Sequence, residues 1–113
     1  MAAPSIDTTT FRELQATVGA DFVDELIDTF LEEAPAMLDA LREALAGGRA
    51  EAFGRAAHSL KANANTFGAL SLGAMARELE LGGLGAGRKV HALDALADEY
   101  ARVRAELQGL RGA

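Results

Sequence analysis

From Leu93 onward the apolar residues recur at Leu96, Tyr100, Val103, Leu107 and Leu110, alternately three and four residues apart. That rhythm holds side chains on one stripe of a helix, and it is the seam of a helical bundle. A half-buried strand needs alternation at every second residue, and no segment of the chain alternates apolar and polar over strand length. Ala, Leu, Glu and Arg dominate the sequence and β-branched residues are few, which favours helix throughout. The expected fold class is therefore all-α.

A short leader helix is predicted from about Phe11 to Val18. Thr10 and Glu13 fit a capping box, and Gly19 suits its end. The first long helix should cover about Asp21 to Leu45, with Phe22, Leu26, Phe30, Leu38, Leu41 and Leu45 as its apolar stripe. Pro35 is expected to kink or break it, and Gly47-Gly48 to end it. A second helix follows from about Arg49 to Phe67, with Gly68 just past its end. A third covers about Ala69 to Leu81, with Leu72, Met75, Ala76 and Leu79 inward. A glycine-rich loop is expected over Gly82 to Gly87, and a fourth helix from about Arg88 to Leu110. Short loops between amphipathic helices imply antiparallel neighbours. The expectation is an up-down-up-down four-helix bundle with a leader: one domain over residues 1–113, a bundle over about 20–110 and a flexible segment over 1–9. Met1 and the compact fit point to a complete, free-standing chain.

Several chemistries are excluded by composition. With no cysteine there is no disulfide, no thiolate metal site and no cysteine nucleophile. Seventeen acidic against eleven basic side chains give a net charge of −6, which argues against a nucleic-acid partner. The longest uncharged run, between Lys61 and Arg77, contains Asn63, Asn65, Thr66 and Ser71 and is too short and polar to span a bilayer. No signal peptide is evident, so a cytoplasmic, membrane-free protein is expected. Asp21, Asp24, Glu25, Asp28, Glu32 and Glu33 crowd the first long helix, but no Glu-x-x-His pair accompanies them. They read as a solvated face, and neither a metal nor a cofactor is expected. The run from Gly82 to Gly87-Arg88-Lys89 misses a P-loop at both of its last positions, and no strand precedes it.

His58 is placed by periodicity. With about 100° per residue and Phe53 at zero, Ala57, Leu60, Ala64 and Phe67 fall within about 40° of the core direction. His58 falls near 140° and should face outward. Its neighbours one turn away are Gly54 and Ala62, Asn65 follows a turn further on, and Arg55 and Lys61 flank the stripe. Glycine inside a helix costs ~1 kcal/mol relative to alanine. Gly54 therefore suggests either an open approach to the imidazole or a close helix-packing contact. Lys61 can bring an ammonium beside an anion formed on the ring, and Arg55 can do so from the other side. His91 lies off the seam of the last helix and reads as surface, as does Ser59.

The string Ala57-His58-Ser59-Leu60-Lys61, followed by Phe67-Gly68-Ala69, resembles the signature of histidine-containing phosphotransfer (HPt) domains. The resemblance rests on His-x-Leu-Lys, a small residue after the lysine and a Gly-Ala pair at the helix end. It continues through Leu72, Ala76, Leu79 and Glu80. Leu60, Phe67 and Gly68 would be its structural positions. One departure is Ala62, where glycine is commonest in the family. The resemblance implies that His58 accepts a phosphoryl group from a receiver-domain aspartyl phosphate and passes it to another response regulator. Lys61 and Arg55 would keep the imidazole neutral and then stabilise phosphohistidine. The implied partners are response-regulator receiver domains and a hybrid sensor histidine kinase. They would dock across the first long helix and the histidine helix, over Phe22, Glu25, Gly54, Ala62 and Asn65. Such a chain is a phosphocarrier with no ATP site of its own, not an enzyme. The alternative is a helical adaptor that binds receivers without phosphotransfer, and the intact His58 and Lys61 argue against it. A cofactor-bearing bundle lacks its ligand pairs.

Overall fold

A computed structural model of the chain describes residues 4–112, which form five helices and no strand. They are α1 (Thr8–Val18), α2 (Ala20–Ala46), α3 (Ala50–Thr66), α4 (Leu70–Gly87) and α5 (Ala92–Leu110). Helix α3 packs on both α2 and α4, α5 closes the ring against α4 and α2, and α1 lies on α2. Successive bundle helices joined by short turns and packed on one another run antiparallel, as expected. Phe30, Leu41, Phe53, Leu60, Leu72, Leu96, Val103 and Leu107 meet in one buried core. Phe30 sits at its centre, 5.5 Å from the Phe67 ring and 6.0 Å, edge on, from Tyr100. Each such side chain contributes about 1.5–3 kcal/mol on burial. Among the described residues, no helix is long and apolar enough to cross a membrane.

The structure corrects four local expectations. Helix α1 begins at Thr8, capped by the Asp7 carboxylate, which accepts from the Thr10 amide at 3.3 Å. Thr10 thus lies inside the helix, and the Thr10–Glu13 capping box is not formed. In α2 the buried stripe is Val23, Ile27, Phe30, Ala34, Leu41 and Ala44, which shares only Phe30 and Leu41 with the expected one. Phe22 is 49% exposed and Leu26 only half-buried. Small Ala34 and Ala44 complete the stripe, because a methyl is what fits where helices approach closely. Pro35 does not break α2, which continues to Ala46. Packing along a helix of this length outweighs the roughly 3 kcal/mol that an interior proline costs.

The glycine-rich segment is the fourth correction, since it is not an open loop. Helix α4 is interrupted at Gly83 (φ 63°, ψ −150°), a backbone conformation suited to glycine. A further helical turn then buries Gly87 against α3, where an added Cβ would lie 2.6 Å from Phe53 Cζ. Helix α5 starts at Ala92, later than expected, after His91 in the left-handed region at φ 64°.

Ahead of α1, Ser5, Ile6 and Asp7 lie against the bundle. Ile6 is 1% exposed. The Ser5 and Ile6 amides donate to the Glu106 carboxylate at 2.7 and 2.9 Å, and the Asp7 amide donates to the Gly68 carbonyl at 2.8 Å. Gly68 has φ 82°, and a Cβ there would press on the Asp7 carbonyl. At the other end the Arg111 guanidinium donates twice to Asp28, at 2.6 and 2.7 Å.

Candidate functional site

Helix α3 is anchored by Phe53, Ala57, Leu60 and Ala64, each with no measurable exposure. That face fixes the rotation of the helix, and His58 points away from the core with its side chain 60% exposed. Gly54 and Ala62 stand one turn to either side, Gly54 half-buried and Ala62 exposed. Close approach of α3 to α4 is secured at Gly73, because the Asn65 side chain occupies the space a Cβ there would need. The two helices then run together far enough to bring Glu80 of α4 beside His58 and Lys61.

Glu80 bridges both. Its Oε2 lies 2.7 Å from His58 Nδ1, and its Oε1 accepts from Lys61 Nζ at 2.7 Å. The Lys61 hydrogen bond first, and the His58 hydrogen bond second, hold the Glu80 carboxyl below its ordinary pKa, against a smaller opposing effect of desolvation. Glu80 is therefore ionised near neutrality and can only accept. Nδ1 must carry a hydrogen, so in the neutral ring the lone pair sits on Nε2, the nitrogen left free of protein contacts. This arrangement fixes tautomer and ring orientation with one side chain.

An open depression of about 400 Å³ lies beside the ring, lined by Glu51, Gly54, Arg55, His58 and Glu80. Nothing lies within 4 Å of a Cβ built on Gly54, so the close-packing explanation for that glycine fails. Its helix cost of about 0.5–1 kcal/mol is not offset within the fold. Arg55 is exposed and lines the depression. The Lys61 ammonium is paired with Glu80 beside the ring. Ala62 and Asn65 flank the ring without lining the depression, and Phe22 and Glu25 are exposed on α2, also outside it. Leu60 and Phe67 are core, and Gly68 turns the chain out of α3. His91 is solvated, 3.7 Å from Asp94. A larger hollow of about 510 Å³ between α4 and α5 is lined by Met75, Glu78, Leu79, Lys89 and Leu96 among others and holds no histidine.

Glu80 is the functional residue whose role was not legible in the sequence. It belongs to the string that carries the family resemblance, but a helical wheel relates residues within one helix only, and the contact crosses between two. The weak signal available was its place on α4 one turn after Ala76, beside the inward Leu79.

No curated protein matches the sequence significantly. The family model for the Hpt domain matches residues 25–113. Among solved structures, histidine-containing phosphotransfer protein B (HptB) from Pseudomonas aeruginosa PAO1 is similar, at 30% identity, a TM-score of 0.84, and 97% of this chain and 96% of that chain covered. A family match that takes in α3, α4 and α5 whole, together with that likeness over nearly all of both chains, settles the family: the chain belongs to the Hpt domain family and is a histidine phosphotransfer intermediate of a phosphorelay.

Proposed function

We propose that His58 is the phosphoacceptor, and that Nε2 is its reacting atom. The observation that carries this is the exposed imidazole held at Nδ1 by the Glu80 carboxylate, which leaves Nε2 as the lone-pair nitrogen. Nε2 attacks the phosphorus of a receiver's aspartyl phosphate. The P–N bond forms as the acyl phosphate P–O bond breaks, and the aspartate leaves as carboxylate. The Nδ1 hydrogen stays on the ring, where Glu80 balances the positive charge that N-phosphorylation creates. Transfer to a second receiver is the same step in reverse. Lys61, already drawn to the site by Glu80, supplies the ammonium for the phosphoryl oxygens, and Arg55 supplies a second cation from the rim of the depression.

The domain acts as a carrier and substrate in this reaction while its partners catalyse. Those partners are response-regulator receiver domains, one of them carried by a hybrid sensor histidine kinase. They meet the chain as a cytoplasmic monomer, over Gly54, Ala62 and Asn65 on α3 with Phe22 and Glu25 on α2 as the wider docking surface. The test is incubation with a phosphorylated receiver, followed by assay for acid-labile, alkali-stable label. Wild type should take the label and His58→Gln should not. Label persisting in His58→Gln would refute the assignment, and no transfer from a broad panel of receivers would favour the adaptor.

A further inference from the structure

We infer that the receiver seats a protruding loop on the N-terminal side of His58, over Gly54, instead of straddling the histidine evenly. This inference rests on the phosphocarrier reading above. Two observations carry it. The relief of the surface around His58 is one-sided: the depression is bounded by Glu51, Gly54, Arg55, His58 and Glu80, and neither Ala62 nor Asn65 reaches it. Gly54 also has no role inside the fold. An added Cβ would meet nothing within 4 Å, whereas Cβ atoms at Gly73 and Gly87 would collide with Asn65 and Phe53. A helix-interior glycine that no neighbour requires is accounted for by something outside the chain.

The chemistry sets how close that something comes. Phosphoryl transfer needs Nε2 within about 3–3.5 Å of phosphorus. Positions 54 and 62 lie about one helical turn, roughly 5–6 Å, along the axis from His58, so the partner's loops must come down on both. On the Gly54 side the surface recedes far enough to admit a loop that projects beyond the phosphoaspartate. The rim there carries one acceptor and one donor. Among the described residues, Glu51 and Arg55 make no side-chain ion pair or hydrogen bond, while Glu80 is occupied by Lys61 and His58. A receiver loop that offers both a donor and an acceptor is what this rim fits.

The test compares Gly54→Met with Ala62→Met, using a phosphorylated receiver that labels wild type and following transfer against receiver concentration. Far-UV circular dichroism and thermal melting confirm that both variants fold. Gly54→Met should slow transfer at low receiver concentration by about 10²-fold, the effect of an ångström-scale misplacement, and should raise the concentration for half-maximal rate. Ala62→Met should cost less than about tenfold by the same measure. An equal or larger loss at Ala62, or no loss at Gly54, would overturn the inference and leave the phosphocarrier reading intact. A wild type that no receiver labels would overturn both.

Discussion

Replacing Gly54 by alanine should raise the melting temperature, and the same change at Gly87 should lower it. Both glycines are helical and half-buried or buried, so composition and position do not distinguish them. Their surroundings do. At Gly54 the new methyl meets nothing within 4 Å, so only the backbone effect remains. That gain is about 0.5–1 kcal/mol. At Gly87 the methyl would sit 2.6 Å from Phe53 Cζ, 3.0 Å from Cε2 and 3.2 Å from Leu45 Cδ1. Comfortable carbon contacts are about 3.5–4.0 Å, so the worst overlap is close to an ångström. The Phe53 ring has no measurable exposure and nowhere to withdraw. Overpacking of this kind costs about 1–3 kcal/mol, and Gly87 is the last residue of α4, where little helix propensity is regained. At about 4 °C per kcal/mol for a domain of this size, the shifts are about +2 to +4 °C for Gly54→Ala and about −4 to −12 °C for Gly87→Ala. Thermal unfolding followed by far-UV circular dichroism reads both. A lower melting point for Gly54→Ala would show that the fold does need glycine there, and would remove the reason to assign it to docking. A Gly87→Ala protein that melts at or above wild type would show that the Phe53 ring can yield.

Three further outcomes are expected. Leu60→Ala should cost ~2–5 kcal/mol in denaturant titrations, because Leu60 is fully buried. Glu106→Gln removes a charged acceptor from the Ser5 and Ile6 amides and should cost ~1–3 kcal/mol, with faster hydrogen exchange at those two amides; unchanged exchange would refute the anchoring role. The folded-state pKa of Glu80 is depressed below its ordinary 4.5, so its stabilising effect is whole above that pH and is lost as pH falls through the folded value. The stability difference between wild type and Glu80→Gln should therefore shrink as pH falls below about 4.5; a difference that grows below that pH would reverse the sign of the argument.

Fold class was readable because the signal is repeated. Four amphipathic stretches each declare a helix, and the spacing of Leu93 to Leu107 places the body and end of α5, although the expected start at Arg88 lies four residues before Ala92. Phase was harder where alanine does the packing. Helix α2 buries Ala34 and Ala44, and a count that weights bulky residues turns the helix toward Phe22. The α3 wheel was right about His58 because its inward residues are unambiguous. What it could not supply was Glu80, since the contact depends on how α4 is set against α3. The N-terminal strap was hidden for the same reason. Ser5 and Ile6 are tied to Glu106 about a hundred residues away, and no local pattern encodes that pairing.

The Glu80 bridge bears on the direction of flow through a relay. A carrier that bound its cargo tightly would accept readily and then stall, and one that repelled it would never load. Lys61 alone would deepen the phosphohistidine well by attraction. A carboxylate one hydrogen bond from the same ring and the same ammonium sets a like charge against the incoming phosphoryl oxygens. Repulsion from Glu80 therefore offsets part of the attraction from Lys61. On the proposed chemistry, Glu80 keeps Lys61 from holding the phosphoryl oxygens too tightly. The phosphoryl group moves whichever way the relative amounts of the two phosphorylated partners drive it.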